Sequence, residues 1–146
     1  MKIYLILHNI RSVFNVGSIF RTADAMGARK IFLTGYTPDP AEKTSLGAEK
    51  FVESERFKSP LSLVKKLKSE KFFIASLEQT KGSISLKKFS EKKYKKLVLI
   101  LGNEVKGVSK NLLDASDCAV EIPMRGKKES LNVSVTAGIA LYAISQ

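Results

Sequence analysis

A single cysteine, a single histidine and no tryptophan occur among the 146 residues of the chain. With Cys118 alone there is no internal disulfide scaffold, and Cys118 and His8 together fall short of the ligand set of a zinc site. A Ser-His-Asp apparatus would have only His8 to draw on. Cys118 is followed by Ala119 and Val120 in a strand-like run, which reads as a packed thiol rather than a reactive one. No apolar stretch approaches the roughly 18 residues that a membrane span needs. The opening "MKIYLILHNIRS" has only a short apolar run and no small-residue cleavage site, so it reads as a first strand rather than a signal peptide. A soluble cytoplasmic protein without membrane or metal partners is expected. Repeats and low-complexity linkers are also missing, and the length suits one domain over residues 1–146.

Positive charge is what the chain has in surplus. Its formal net charge is +11, and the excess is no tail: residues 1–73 carry 13 Lys and Arg against 7 acids, and residues 74–146 carry 12 against 7. Such a surplus attracts phosphate backbones through counterion release and steering. The densest stretch, "KGSISLKKFSEKKYKK" from Lys81 to Lys96, sets seven lysines against one glutamate. A solvated lysine face explains that stretch as well as a nucleic-acid contact does.

Short apolar clusters rich in β-branched residues lie at Ile3–Leu7, Lys30–Thr34, Phe72–Leu77, Leu97–Leu101 and Cys118–Ile122, as buried parallel strands require. Helical patterns separate them at Val16–Met26, Leu61–Ser69, Lys110–Ala115 and Leu131–Ser145, and Gly35–Gly47 reads as one long loop. The alternation predicts an α/β fold built on an open, mostly parallel sheet flanked by helices. In such folds ligands bind outside the carboxyl ends of the strands. After Leu77, Leu101 and Ile122 come "EQT", "GNEVKG" and "PMRGKKES", polar and glycine-bearing segments that converge on a ligand crevice.

In "GNEVKGVS", Gly102 permits close backbone approach, Gly107 a turn, and Ser109 a cap on the next helix. The glycines have P-loop spacing, but Val108-Ser109 stands where the phosphate-reaching Lys-[Ser/Thr] pair would be, which sets ATP hydrolysis aside. In "ESLNVSVTAGIALYAIS", Ser130, Asn132 and Ser134 mark a helix start. The helix beyond is apolar almost all round, with Val133, Ala137, Ala140, Leu141 and Ile144 on one face and Val135, Ile139 and Ala143 opposite, so a homodimer is expected to cover the second face. In "FNVGSIFRTADAMG", Val16, Ile19, Phe20, Ala23 and Met26 form a core stripe with Asn15 as the expected N-cap. Arg21 points away, above Gly17 and Ser18, and from this helix alone a surface pair with Asp24 is the simpler reading.

Taken together, "NVGSIFRTADAMG", "LILGNEVKGVS" and "IPMRGKKESLNVSVTAGIALY" resemble the three ordered motifs of the SpoU/TrmH branch of the SPOUT RNA methyltransferases. "GYTPDP", "KTSLGAE" and "LEQT" are similar to family segments as well, so the resemblance covers almost the whole chain. It implies a deep C-terminal trefoil knot, a homodimer, S-adenosylmethionine as cofactor, and methyl transfer to a ribose 2′-hydroxyl of tRNA or rRNA. On this resemblance Arg21 acts at the hydroxyl with Asn15 in support, Glu104 lies near the substrate, and Ser130 and Asn132 complete the site. Leu77, Glu78, Gly102, Asn103, Gly107, Ile122, Met124 and Leu131 fall at the cofactor, mostly through backbone groups. The small residues around Arg21 would let RNA or a second subunit approach. A guanidinium with a pKa above about 12 is a poor base, so Arg21 either takes the proton with strong help or steadies a developing alkoxide. No separate RNA-binding extension is expected, which leaves RNA recognition to the domain's own surface or to a partner. The alternative is a non-catalytic RNA-binding protein on the same scaffold, or an enzyme with another nucleotide-like cofactor.

If the Lys81–Lys96 stretch tracks an RNA backbone, its charge-neutralised variant shows a shallower dependence of RNA binding on salt concentration. An unchanged slope returns the stretch to solubility.

Overall fold

The computed structural model describes residues Met1–Gln146. The chain opens with β1 (Lys2–His8), α1 (Val13–Ala25), β2 (Lys30–Thr34), α2 (Glu42–Ser45), a 3-10 turn at Ala48–Lys50 and β3 (Glu53–Arg56). It continues through α3 (Pro60–Ser69), β4 (Phe73–Leu77), β5 (Ile84–Ser85), α4 (Leu86–Ser90), β6 (Lys96–Leu101), α5 (Lys110–Ala115), β7 (Cys118–Glu121) and α6 (Val133–Ser145). The seven strands are all parallel and lie in the order β3-β2-β1-β6-β4-β7-β5.

Burial on both faces explains the near-continuous apolar strands. Ile3, Leu5 and Leu7 of β1 and Leu97, Leu99 and Leu101 of β6 pack into a core of 25 buried residues shared with α1, α4 and α6. The alternate positions Ile6, Val98 and Ile100 enter a second core of 11 buried residues under α3 and α5. No helix is long and apolar enough to cross a membrane.

Helix boundaries follow capping chemistry. α1 starts earlier than its apolar stripe suggests, because Ser12 is the N-cap and its Oγ accepts from Asn15 N–H at 3.2 Å. Asn15 is therefore not the cap, and its side chain is free for other work. Within Gly35–Gly47 the chain forms α2 rather than a continuous loop. β3, with the sequence ESER, is exposed throughout and pairs only with β2. Charge on an edge strand discourages pairing with another chain, and it also removes the apolar signal by which a strand is read.

α1 and α2 approach closely at Gly17. A Cβ there would lie 2.6 Å from Thr44 Cβ and 2.7 Å from the Thr44 backbone carbon. The glycine beneath Arg21 is thus explained by packing inside the chain, which corrects the expectation that it clears space for RNA or a second subunit. On the other side of α1, a Cβ on Gly138 of α6 would meet only Thr22 Cγ2, at an ordinary 3.6 Å.

Gly17→Ala is therefore expected to lose about 1–3 kcal/mol of unfolding free energy through overpacking. Gly138→Ala should gain about 0.5–1 kcal/mol from helix propensity. Urea denaturation of the two variants measures both, and equal stabilities would contradict the assigned contacts.

Candidate active site

A cavity of about 440 Å³ opens at the carboxyl ends of β4, β6 and β7, against the start of α6. Leu77, Ile122, Met124 and Leu131 give it apolar wall, and Glu78, Gly102, Asn103 and Gly107 line it from the turns. All eight residues assigned to the cofactor thus share one cavity. So do Glu104, Ser130 and Asn132. Gln79, Val105, Lys106, Glu129, Val133 and Thr136 also line it, most of them turn neighbours of residues already singled out.

The turn between β6 and α5 is fixed by Asn103. Its backbone exchanges hydrogen bonds with Gly107, N–H to O at 3.1 and 2.8 Å. Its Oδ1 accepts from Val105 and Lys106 N–H, both at 2.9 Å, and its Nδ2 donates to the Asn9 carbonyl and to Tyr36 Oη, also at 2.9 Å. The amide has two donors and two acceptor sites. All are occupied, so Asn103 frames the cavity and has no side-chain bond left for a ligand. Gly107 sits at φ +71°, where a Cβ would lie 2.9 Å from Glu78 Cδ. That contact seats the Glu78 carboxylate, whose Oε2 accepts from Val108 N–H at 2.8 Å.

Glu104 reaches across to the start of α1. Its carboxylate accepts from Arg11 N–H at 2.8 Å, Ser12 N–H at 2.9 Å and Asn15 Nδ2 at 3.0 Å. A carboxylate at a helix N-terminus also meets the positive end of the helix dipole. Burial pushes the carboxyl up, but the hydrogen bonds from Arg11, Ser12 and Asn15 outweigh it and hold it below its ordinary value. Asn15 Oδ1 in turn accepts from Asn132 Nδ2 at 3.2 Å. Asn132 is the N-cap of α6, its Oδ1 accepting from Ser134 N–H at 2.8 Å and from Val135 N–H. A chain of hydrogen bonds, Glu104–Asn15–Asn132, therefore ties together the three sequence segments singled out for chemistry. Ser130 lies exposed in the cavity wall and makes no hydrogen bond within the chain.

Arg21 is the exception. It is exposed on α1, lies outside the cavity lining, and makes no ion pair with Asp24 or any other acid. Ser109 is the N-cap of α5 but makes no side-chain capping bond. His8, at the end of β1, has Nδ1 2.9 Å from Thr34 Oγ1, and burial lowers its pKa. Burial, then the Asp117 charge, pushes the Cys118 thiol up, in keeping with a packed, unreactive cysteine. The Lys81–Lys96 stretch is not one patch beside the cavity. It begins just past the carboxyl end of β4 and runs through α4 to Lys96 at the amino end of β6.

A model of the SpoU rRNA methylase family matches residues 2–142. Over 138 residues the chain is 34% identical to the tRNA (guanosine(18)-2′-O)-methyltransferase of Aquifex aeolicus, covering 92% of this chain and 64% of that protein. The crystal structure of the A. aeolicus TrmH/SpoU tRNA modifying enzyme superposes with a TM-score of 0.90 at 30% identity, over 99% of this chain and 74% of that one. An AdoMet-bound rRNA methyltransferase from Sinorhizobium meliloti superposes at 0.89 and 28% identity, over 98% of this chain and 55% of that one. The chain thus spans under two thirds of the length of the curated relatives it matches.

Because hydrogen bonds hold the Glu104 carboxyl below its ordinary value in the fold, its contribution is present above that ordinary value and is lost as pH falls through the folded one. Glu104→Gln is expected to lower stability by about 1–2 kcal/mol at neutral pH. The gap between variant and parent should close on acidification, and denaturation at a series of pH values measures it. A gap that widens towards low pH would contradict the hydrogen-bond assignment.

Proposed function

The chain belongs to the SpoU rRNA methylase family, and from that membership we propose that it transfers a methyl group from S-adenosylmethionine to a ribose 2′-hydroxyl of tRNA or rRNA. The observation that carries this reading is the single cavity at the strand ends, which gathers all eight cofactor candidates with Glu104, Ser130 and Asn132. The residues fit the cofactor: the volume lies in the range of small-molecule sites. The walls pair apolar side chains for the adenosine with backbone and polar groups for its hydrogen bonds. When bound, S-adenosylmethionine supplies an electrophilic methyl on a sulfonium.

The chain's own residues hold and orient. Leu77, Ile122, Met124 and Leu131 supply the apolar wall against which the cofactor would pack. Asn103 and Glu78 keep the 102–108 turn in place from either side. Ser130, with its hydroxyl unpaired inside the chain, is available to the incoming ribose. Asn132 and Asn15 hold each other and place the start of α6 beside the start of α1. The net +11 charge of the chain favours a polyanionic substrate.

Arg21 acts, on this reading, as a forked cation that orients the target nucleotide and steadies the developing alkoxide. It does so across a homodimer. Val135, Ile139 and Tyr142 form an exposed apolar strip on α6, beside α1 with its exposed Phe14. A second copy covering that strip brings the Arg21 of one copy towards the cavity of the other. The knot is supported by the return of the chain. β7 lies three strands from β1, yet α6 comes back to pack on α1, past the turns that follow β4 and β6. The cytoplasm, where tRNA and rRNA are processed, is the compartment this activity implies.

Calorimetry with S-adenosylmethionine, followed by methyl transfer to unmodified tRNA and rRNA with mass-spectrometric mapping of methylated riboses, tests the proposal. Arg21→Lys should keep cofactor affinity within about twofold while losing on the order of 100-fold in transfer. Absence of cofactor binding would leave a non-catalytic RNA-binding protein. Near-normal turnover by Arg21→Lys would remove Arg21 from its role.

A further inference from the structure

Tyr36 stands at the carboxyl end of β2, beside the cavity turn, with 58% of its surface exposed. Its ring pairs with no other aromatic side chain, although six aromatic pairs exist elsewhere in the chain, and no lysine lies over it. An exposed aromatic of that kind is ordinarily mobile. This one is held at both its hydroxyl and its backbone N–H. Its hydroxyl accepts from Asn103 Nδ2 at 2.9 Å, and its N–H donates to Asn9 Oδ1 at 3.1 Å.

The backbone on either side is fixed as well. Asn9 adopts a left-handed conformation at φ 56°, uncommon for a residue with a side chain, which brings its amide under Tyr36. Thr37 is buried, its hydroxyl accepting from Ile10 N–H at 3.1 Å and donating to the Leu7 carbonyl at 2.8 Å. The Thr37 carbonyl accepts from Arg56 Nη2 at 2.7 Å. The fold thus accepts local backbone strain and five hydrogen bonds to hold one aromatic face still against solvent.

A rigid, unpartnered aromatic face suits an unpaired nucleobase, because every base has a π face and stacking needs no particular sequence. Methyl transfer to a ribose requires a splayed-out nucleotide, whose base must be held while its sugar enters the site. We propose that Tyr36 is the stacking platform for an unpaired base of the RNA, at or next to the methylated nucleotide. The proposal rests on the RNA methyltransferase reading above and names a substrate contact for that same site. Asn103 makes the platform continuous with the cavity: one amide holds both the Tyr36 hydroxyl and the turn at 103–107.

The absence of tryptophan gives a direct test, since Tyr36→Trp would carry the only indole in the chain. Its fluorescence should be quenched by a short oligoadenylate and not by an abasic ribose-phosphate oligomer of the same length. Tyr36→Ala should weaken oligoadenylate binding by about 5- to 100-fold. It should raise KM for tRNA more than it lowers kcat, with S-adenosylmethionine affinity unchanged by calorimetry. Tyr36→Phe keeps the ring and should stay within about threefold of the parent. Equal quenching by both oligomers, no quenching by either, or a Tyr36→Phe variant as impaired as Tyr36→Ala would overturn the stacking role. Circular dichroism separates any loss due to misfolding, and the tryptophan variant then decides. Failure of the parent protein to methylate any RNA would instead count against the enzymatic reading, and the oligomer comparison would still decide the platform.

Discussion

The architecture of the site depends on one carboxylate bridging two segments far apart in sequence. Glu104 stands just past the end of β6 and takes the amide hydrogens that open α1 together with the side-chain amide of Asn15. β1 and β6 are paired strands, so their carboxyl ends are already adjacent. Adjacency alone leaves two turns free to move independently. The charge-assisted bonds couple them, and Asn15 passes the constraint on to Asn132 and the start of α6. The cavity is therefore walled by segments that hold one another as well as being held by the sheet.

Much of the fold is legible in the sequence where packing dictates composition. β2 and α5 occupy the spans their apolar pattern indicates, and β1, β4, β6 and β7 differ from theirs by a residue at one or both ends. β1, β2, β4 and β6 are buried along most of their length on both faces, which leaves little place for polar residues. The exceptions are either exposed or very short. β3 is an exposed edge strand defined by backbone pairing alone, β5 has two residues, and α4 has five. α2 sits inside a stretch whose Gly, Pro and Asp content reads as loop, and its order comes from tertiary contact, with Thr44 packed on Gly17 and Ser45 buried.

At the site, residue types marked the place and the structure assigned the connections. Two P-loop-spaced glycines and the polar segments after three strands indicated a crevice without revealing what the side chains do in it. Asn103 and Glu104 are adjacent, yet one divides its amide between its own turn and the segments at Asn9 and Tyr36, and the other reaches across to the start of α1. That difference depends on long-range neighbours, Asn9 and Tyr36 for one and residues 11–15 for the other, which no local pattern encodes. Arg21 illustrates the converse. Its motif is plain in the sequence, but a single copy of the chain leaves it outside the cavity it is expected to serve.

The packing of α6 on α1 also bears on how the protein is made. α1 is synthesised well before α6, and six of the seven strands lie between them in sequence. One edge of β1 faces the same delay: it meets β2 early, but its other partner β6 is synthesised only after β2, β3, β4 and β5. Until the late elements arrive, Val16, Ile19, Phe20 and Ala23 have only part of their core to bury against. Contacts so distant in sequence form slowly, and the exposed intermediates are prone to association. Nascent chains of this protein thus hold an unfinished apolar surface until α6 has been made.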